Sequence, residues 1–427
     1  MAREMQNSGI EWIGEIPKEW TINSISQLFS QVKNKNTDLQ ETNLLSLSYG
    51  KIKRKNIETT DGLLPESFDG YNIVESNDIV LRLTDLQNDH KSLRVGLVTE
   101  RGIITSAYLT IRNHSEFIAK YLYFYLHAFD ISKGFYGMGA GVRQGLNWDG
   151  IKWLKILSPS IPEQQAIADF LDTQCTYIDS VIEKTRAAIE EYKKLKQSVI
   201  TQAVTKGIRP KREMKDSGID WFPIIPMEWT VSRVGLHYDI ILGKMLCQNQ
   251  LKNDYTLEPY YCAANVHFDG VSNMDLKQMW FSTGDKEQYL VKEGDLLVVE
   301  GGAGAGGSAI VVSVDKPTYI QNSVMIVRPK DTSNNCYLRY LLEFLVKEGY
   351  IDVACNKATI PHFTKDKLAN VPYLVSNEQS EIVNYLDEKT AAIDSLIKKK
   401  EQLISELEAY KKSLIYEYVT GKKEVLV

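Results

Sequence analysis

The chain has 427 residues, 43% hydrophobic and 25% charged, and its 50 Lys and Arg against 55 Asp and Glu give a formal net charge of -5. It is long enough for more than one core, and its charge balance excludes a protein that coats nucleic acid by bulk positive charge, leaving only local basic surfaces. The absence of a long apolar run, of a signal-like N-terminus and of any C-x-x-C pair among five cysteines leads us to expect a soluble, cytoplasmic protein with no membrane span, disulfide framework or zinc ribbon.

The first element is a tryptophan-bracketed motif, NSGIEWIGEIPKEW at residues 7–20, whose Ile-Pro between two Trp suits a short extended segment packed on a neighbour. Residues 21–158 follow as β-branched and aromatic runs broken by Gly, Asn and Asp, which reads as strands and turns. Within them, 73–81 is expected to be a strand pair joined by a turn and 117–128 a helix. From Gln164 to Lys206 no Gly or Pro intervenes. There Ile178, Val181, Thr185, Ala188, Tyr192, Leu195 and Val199 recur at alternating steps of three and four, the seam of a coiled coil.

The pattern then repeats. DSGIDWFPIIPMEW at 216–229 restates the first motif, residues 230–375 form a second mixed segment, and a second uninterrupted helix runs from Gln379 to Thr420. Its expected seam is Ile393, Leu396, Lys400, Leu403, Leu407, Tyr410 and Leu414. Ungapped matches link Glu163 and Gln164 to Glu378 and Gln379, and Ile178-Asp179-Ser180 to Ile393-Asp394-Ser395. In the second mixed segment, 291–299 should be the equivalent strand pair and 336–347 the equivalent helix.

The expected fold class is therefore α+β: two mixed α/β domains separated by two long helices that pair as an antiparallel coiled coil, with an internal pseudo-twofold repeat. The corresponding divisions are 1–20, 21–158, 159–229, 230–375 and 376–427.

Signatures of chemistry are sparse. Gly302-Ala303-Gly304-Ala305-Gly306-Gly307 satisfies G-x-G-x-x-G, but a β-branched run follows it where a dinucleotide site needs a helix. It reads instead as a glycine-rich hairpin tip. There is no G-x-x-x-x-G-K-[ST], no Asn/Asp-Pro-Pro-Tyr/Phe, and six scattered His lack metal-ligand spacing. We expect no catalytic residue, no metal and no cofactor bound by this chain.

Recognition chemistry is better represented. Tyr49, Lys51, Lys53, Arg54 and Lys55 cluster beside a Gly turn, where cations can neutralise phosphates. Arg82 and Lys91, and Arg143, Gln144 and Asn147, lie in polar loops rich in the side chains that pair bidentately with base edges. The second segment offers Gly304, Ser308, Asn322, Lys357, Thr359 and His362 as candidates. Segments 21–158 and 230–375 carry 16 basic with 14 acidic and 14 basic with 16 acidic side chains, so any DNA face must concentrate its cations locally.

Taken as a whole, the SGIEWIGEIPKEW opening, IPEQQAIADFLD and NEQSEIVNYLD closing the two mixed segments, and a long helix after each resemble the specificity subunit of a type I restriction-modification system. The resemblance covers essentially the whole chain. It implies a non-catalytic DNA-reading subunit with two target recognition domains, each reading one half of an interrupted, asymmetric sequence, and helices acting as a ruler for the gap. It further implies two methyltransferase subunits that bring S-adenosylmethionine, and restriction subunits that bring ATP and Mg. By the same resemblance, Glu163, Gln164, Glu378 and Gln379 would contact the methyltransferase subunits. The alternative is a two-headed adaptor in which a coiled-coil rod presents protein-binding domains.

Overall fold

Both tryptophan motifs close into hairpins for the same local reason. In the computed structural model, which describes residues 3–57, 67–89, 92–138, 145–355 and 361–425, strand Met5–Asn7 pairs with Glu15–Pro17, and Met214–Asp216 with Ile224–Pro226. Asn7 Oδ1 accepts Gly9 N at 2.8 Å, and Asp216 Oδ1 accepts Gly218 N at 2.8 Å. The two glycines sit at φ 67° and 72°, a left-handed conformation that side chains with a Cβ resist. Each hairpin drives its second Trp inward, Trp20 and Trp229 being buried.

The chain divides into two units, residues 1–186 with 400–427, and residues 187–399. In the first, an antiparallel sheet has the spatial order Phe29–Gln31, Leu109–Asn113, Ile79–Leu81, Val95–Leu97. Helix Ala119–Ile131 packs beside it and buries ten of its 13 residues, being enclosed by the sheet and by Ile167, Leu171 and Ile178 of the long helix. Strands Thr21–Ser24 and Lys155–Ser158 pair at the base of the unit.

The expected strand pair at 73–81 needs correction. Asn72–Val74 and Ile79–Leu81 are both strands, but they belong to different sheets. The turn between them, with Asn77 at φ 71°, carries the buried Asp78 inward, where it accepts a two-pronged bond from Arg112 at 2.8 and 2.6 Å.

The second unit repeats the plan, with Tyr238–Leu242, Val324–Pro329, Leu296–Val299 and Ser308–Ile310 in one antiparallel sheet and helix Asn335–Lys347 packed against it. Thr230–Arg233 pairs with Pro372–Val375, and Asp295 receives Arg328 at 2.7 and 2.6 Å as Asp78 receives Arg112. Residues 291–299 contain one strand rather than two, because Asp295 Oδ2 holds Lys292 N in a turn. This unit also has a three-stranded sheet, Lys277–Phe281, Thr256–Tyr261 and Tyr319–Ile320.

The long helices are Ile161–Lys206 and Gln379–Val419. In the first unit Asp179 meets Lys411 at 2.6 Å and Arg186 meets Glu408 at 3.0 Å, so one strand of numbering rises as the other falls and the pairing is antiparallel. Within the second unit Lys196 meets Asp394 at 2.7 Å and Arg209 meets Glu381 at 3.0 Å, with the same sense. The seam differs from expectation at every second position. Ile182 and Ile189 are buried in place of Val181 and Ala188, and Leu195, Leu396, Leu403 and Tyr410 are exposed while Ile397 and Ile404 turn inward. Adjacent apolar residues such as Val181 and Ile182 fit either phase of a heptad, and only the partner surface chooses between them.

Candidate nucleic-acid interface

In the first unit, strands Leu45–Ser48 and Lys51–Arg54 form a two-residue hairpin whose tip residues Tyr49 and Gly50 have φ 47° and 76°, the positive pair of a tight turn matched to strand twist. Tyr49 is 78% exposed. Two of the four expected cations are engaged: Lys51 bonds Asp179 at 3.0 Å, and Arg54 forks onto Glu100 at 2.7 and 2.9 Å, holding that carboxyl below the ordinary carboxylate range. Lys53 and Lys55 are exposed and make no ion pair among the described residues.

The connection after strand Ile79–Leu81 is tied to the segment after the helix by Leu146 N donating to Leu83 O at 2.8 Å. That bond draws Arg82 and Asn147 into one region. Arg82 lies 3.5 Å from Asp89. Asn147 is exposed, yet its Oδ1 accepts Gly150 N at 3.1 Å and caps the turn Trp148–Ile151, which fixes the orientation of its amide. Lys91, Arg143 and Gln144 lie outside the described residues. Gly50 stands beside this region, since a Cβ there would come within 3.1 Å of Leu93.

The second unit joins its counterparts in the same way, Phe363 N donating to Glu300 O at 2.6 Å and Gly302 N to Pro361 O at 3.1 Å. Gly304 is exposed at the hairpin tip, as expected, and His362 is 63% exposed at the side chain with Nδ1 3.6 Å from Glu300. Glu300 N donates to Ser323 O at 2.8 Å, bringing the half-buried Asn322 alongside. Ser308 is a correction: it is fully buried on its strand opposite Val298, so its hydroxyl faces the interior. Lys357 and Thr359 lie outside the described residues.

Of the four residues expected to contact the methyltransferase subunits, Gln164, Glu378 and Gln379 are buried within the chain, while Glu163 is partly exposed. Glu163 accepts Trp20 Nε1 at 3.0 Å and pairs with Arg3 at 2.7 Å; Glu378 accepts Trp229 Nε1 at 2.8 Å and pairs with Arg212 at 2.5 Å. Gln164 Oε1 accepts Ile118 N at 2.9 Å, and Gln379 Oε1 accepts Asn334 N at 3.1 Å. These side chains clasp each tryptophan hairpin and each mixed segment to the start of the following helix.

Sequence reasoning singled out the polar loop at 81–91 but missed Arg94, which holds it. Arg94 is fully buried, and Thr84, Gln87 and Asn88 of residues 82–89 are exposed. An arginine within a run of apolar residues carries no sign in sequence of whether its head reaches water.

Of the groups on helix Ala119–Ile131 that burial shifts from their ordinary values, His127 and Asp130 titrate in the acid range. Burial, aided by Lys411, pushes the His127 imidazole down to about 4, and burial raises the Asp130 carboxyl to about 6 although it accepts Arg94 N at 2.7 Å. Between pH 6.5 and 4 the unfolded chain protonates His127 more readily than the native one, so acid costs stability there. Between pH 6 and 3.8 the native chain holds the Asp130 proton more tightly, so acid restores stability. Asp130→Asn removes the compensating group, and its loss of stability from pH 6.5 to 4 should exceed that of the unsubstituted chain by about 2 kcal/mol. Urea unfolding midpoints across that range measure this, and parallel pH profiles would refute it.

Among the described residues no three His, Cys, Asp or Glu converge as a metal site, and no helix is long and apolar enough to cross a membrane.

Comparison with known proteins fits this doubled arrangement. The family model for the type I restriction modification DNA specificity domain matches residues 17–191 and again 226–406. A protein of Methanocaldococcus jannaschii bearing the name type I restriction enzyme MjaX specificity subunit is 23% identical over 245 residues, 54% of this chain and 56% of its own length. The match thus spans little more than half of that relative. In fold, a chain from a structural study of complex assembly and conformational transition of the type I R-M system superposes with TM-score 0.70 at 18% identity, covering 96% of this chain and 99% of the other. The HsdS subunit from Thermoanaerobacter tengcongensis gives 0.53 at 18% identity, over 96% and 98%. Since the family model matches well over half of the residues, in two successive copies, the chain belongs to the DNA specificity subunit family of type I restriction-modification systems.

Proposed function

We propose that this chain reads an interrupted, asymmetric DNA sequence, one half-site by the recognition domain at 21–158 and the other by that at 230–375, the long helices setting the gap. It directs two methyltransferase subunits, which bring S-adenosylmethionine, and restriction subunits, which bring ATP and Mg, to that sequence. The observation that carries this reading is the repetition, in each unit, of a polar or glycine-rich inter-strand connection bonded to the segment after the helix: Leu83 with Leu146, and Glu300 with Phe363.

The near-neutral charge of both segments supports weak, salt-sensitive binding by the chain alone, strengthened when partners close around the duplex. Partners would meet the exposed helix faces beside the clasps rather than the clasp side chains. Selection from random bipartite duplexes, with a methyltransferase partner present, tests the proposal. Enrichment of a split motif is expected. Absence of sequence preference at every salt concentration would overturn it in favour of the two-headed adaptor.

A further inference from the structure

We infer that Arg94 is the positioning residue that sets the half-site preference of the first unit, by holding residues 82–89 in a single reading conformation. This rests on the proposed function and names the group on which its first half depends.

Arg94 is fully buried, and among the described residues its guanidinium donates to no carboxylate, although its charge acts on Asp130. Its donors go to the backbone of one loop instead: Nη1 to Arg82 O at 3.0 Å and Thr84 O at 2.9 Å, Nη2 to Asp85 O at 3.4 Å and to Asp89 O. Nε donates to Tyr136 Oη at 3.2 Å, and the guanidinium lies over that ring, 5.0 Å from its centroid. Tyr136 Oη donates to Asp89 O at 3.2 Å, so the ring and the cation grip the same carbonyl. From behind, Arg94 N is held by Asp130.

Burying a guanidinium is costly unless its donors are met. A site needing only to be filled would take an apolar side chain of similar length. The planar fork of arginine does something a filler cannot: it fixes the directions of the carbonyls it gathers. With those carbonyls turned inward, the loop is rolled over, Asp85 adopting φ 57°, and Thr84, Gln87 and Asn88 face outward. Amide and hydroxyl side chains distinguish bases only when their placement is fixed, because a mobile amide can satisfy more than one base edge.

The second unit holds its equivalent connection otherwise, through Gly302 and Gly306 and the bonds to Pro361 and Val299. Loss of the Arg94 clamp should therefore be felt in one half-site alone.

The experiment is selection from random bipartite duplexes by the full chain with its methyltransferase partner, comparing the unsubstituted protein, Arg94→Met and Tyr136→Phe. We expect Arg94→Met to lower base discrimination in one half-site by about tenfold and to leave the other half within about twofold. Tyr136→Phe, a milder change that keeps the arginine, should relax the same half-site by a smaller factor. Unchanged discrimination in Arg94→Met overturns the inference alone, and so does equal weakening of both half-sites in both variants, the signature of a merely structural role. If Arg94→Met fails to fold, Tyr136→Phe decides, its unaltered discrimination counting against the inference. An unsubstituted protein that enriches no sequence overturns the recognition reading and the inference with it.

Discussion

Exchanging residues 21–158 for the corresponding segment of a different specificity subunit is expected to replace one half-site of the recognised DNA and leave the other unchanged. The basis is local. Thr21 stands opposite Ser158 in an antiparallel pair, so both cuts fall side by side at the base of the first unit. The incoming domain must present an apolar helix face to Ile167, Leu171 and Ile178 and a small set of polar contacts across the cut. Chief among them are a backbone N–H for Gln164 Oε1, met here by Ile118 at 2.9 Å, and a hydroxyl for Val419 O, met here by Tyr121 at 3.2 Å. The first is a main-chain group that any helix start offers. Methylome or selection data on the hybrid read the outcome directly, and a change in both half-sites would refute modular reading.

Glu378→Ala should be the most destabilising single substitution at the helix junctions. The carboxylate is buried and receives Trp229 Nε1 at 2.8 Å and Arg212 at 2.5 Å, with Arg209 Nε 3.3 Å away. Arg212 is itself only 10% exposed. Removing the carboxylate leaves the buried indole N–H without an acceptor and takes from Arg212 its buried partner, Glu228 at 2.9 Å remaining as its more exposed one, a loss of about 3 kcal/mol. Glu163→Ala makes the internal control. Its carboxylate and Arg3 are 22% and 19% exposed, so water can replace much of what is lost, and the cost should be nearer 1–2 kcal/mol. Denaturant unfolding of both variants measures the difference, and equal losses would show that burial does not distinguish the two clasps.

What could be read before folding was what repeats or is periodic. The tryptophan motifs, the long helices and the glycine hairpin all lie where their residues announce them, because Gly turns and uninterrupted amphipathic runs are local signals. The seam phase was not legible, since Val181 and Ile182 are equally apolar and their exposure depends on the opposite helix. The intrachain roles of Glu163 and Glu378 were not legible because their partners, Trp20 with Arg3 and Trp229 with Arg212, are remote in sequence. Ser308 was drawn to the surface by its glycine neighbours, although strand pairing begins with it. Arg94 was invisible for the converse reason: its partners are main-chain carbonyls, which every sequence possesses.

The contrast between the two inter-strand connections bears on how such a chain diversifies. If the first unit reads its half-site as proposed, through side chains on an anchored backbone, single-codon changes at Thr84, Gln87 or Asn88 would alter what is read without disturbing the anchor. The second unit is closed to that route at Gly306, where a Cβ would meet Ile351 and Val346 at 2.8 Å on a backbone already at φ 82°. Its tip at Gly304 is open, with Val299 at 3.9 Å as the one atom near an added Cβ. Lengthening a loop adds closure entropy only slowly. Heritable variation in this half should therefore accumulate as insertions at the tip, whereas in the other half it accumulates as substitutions.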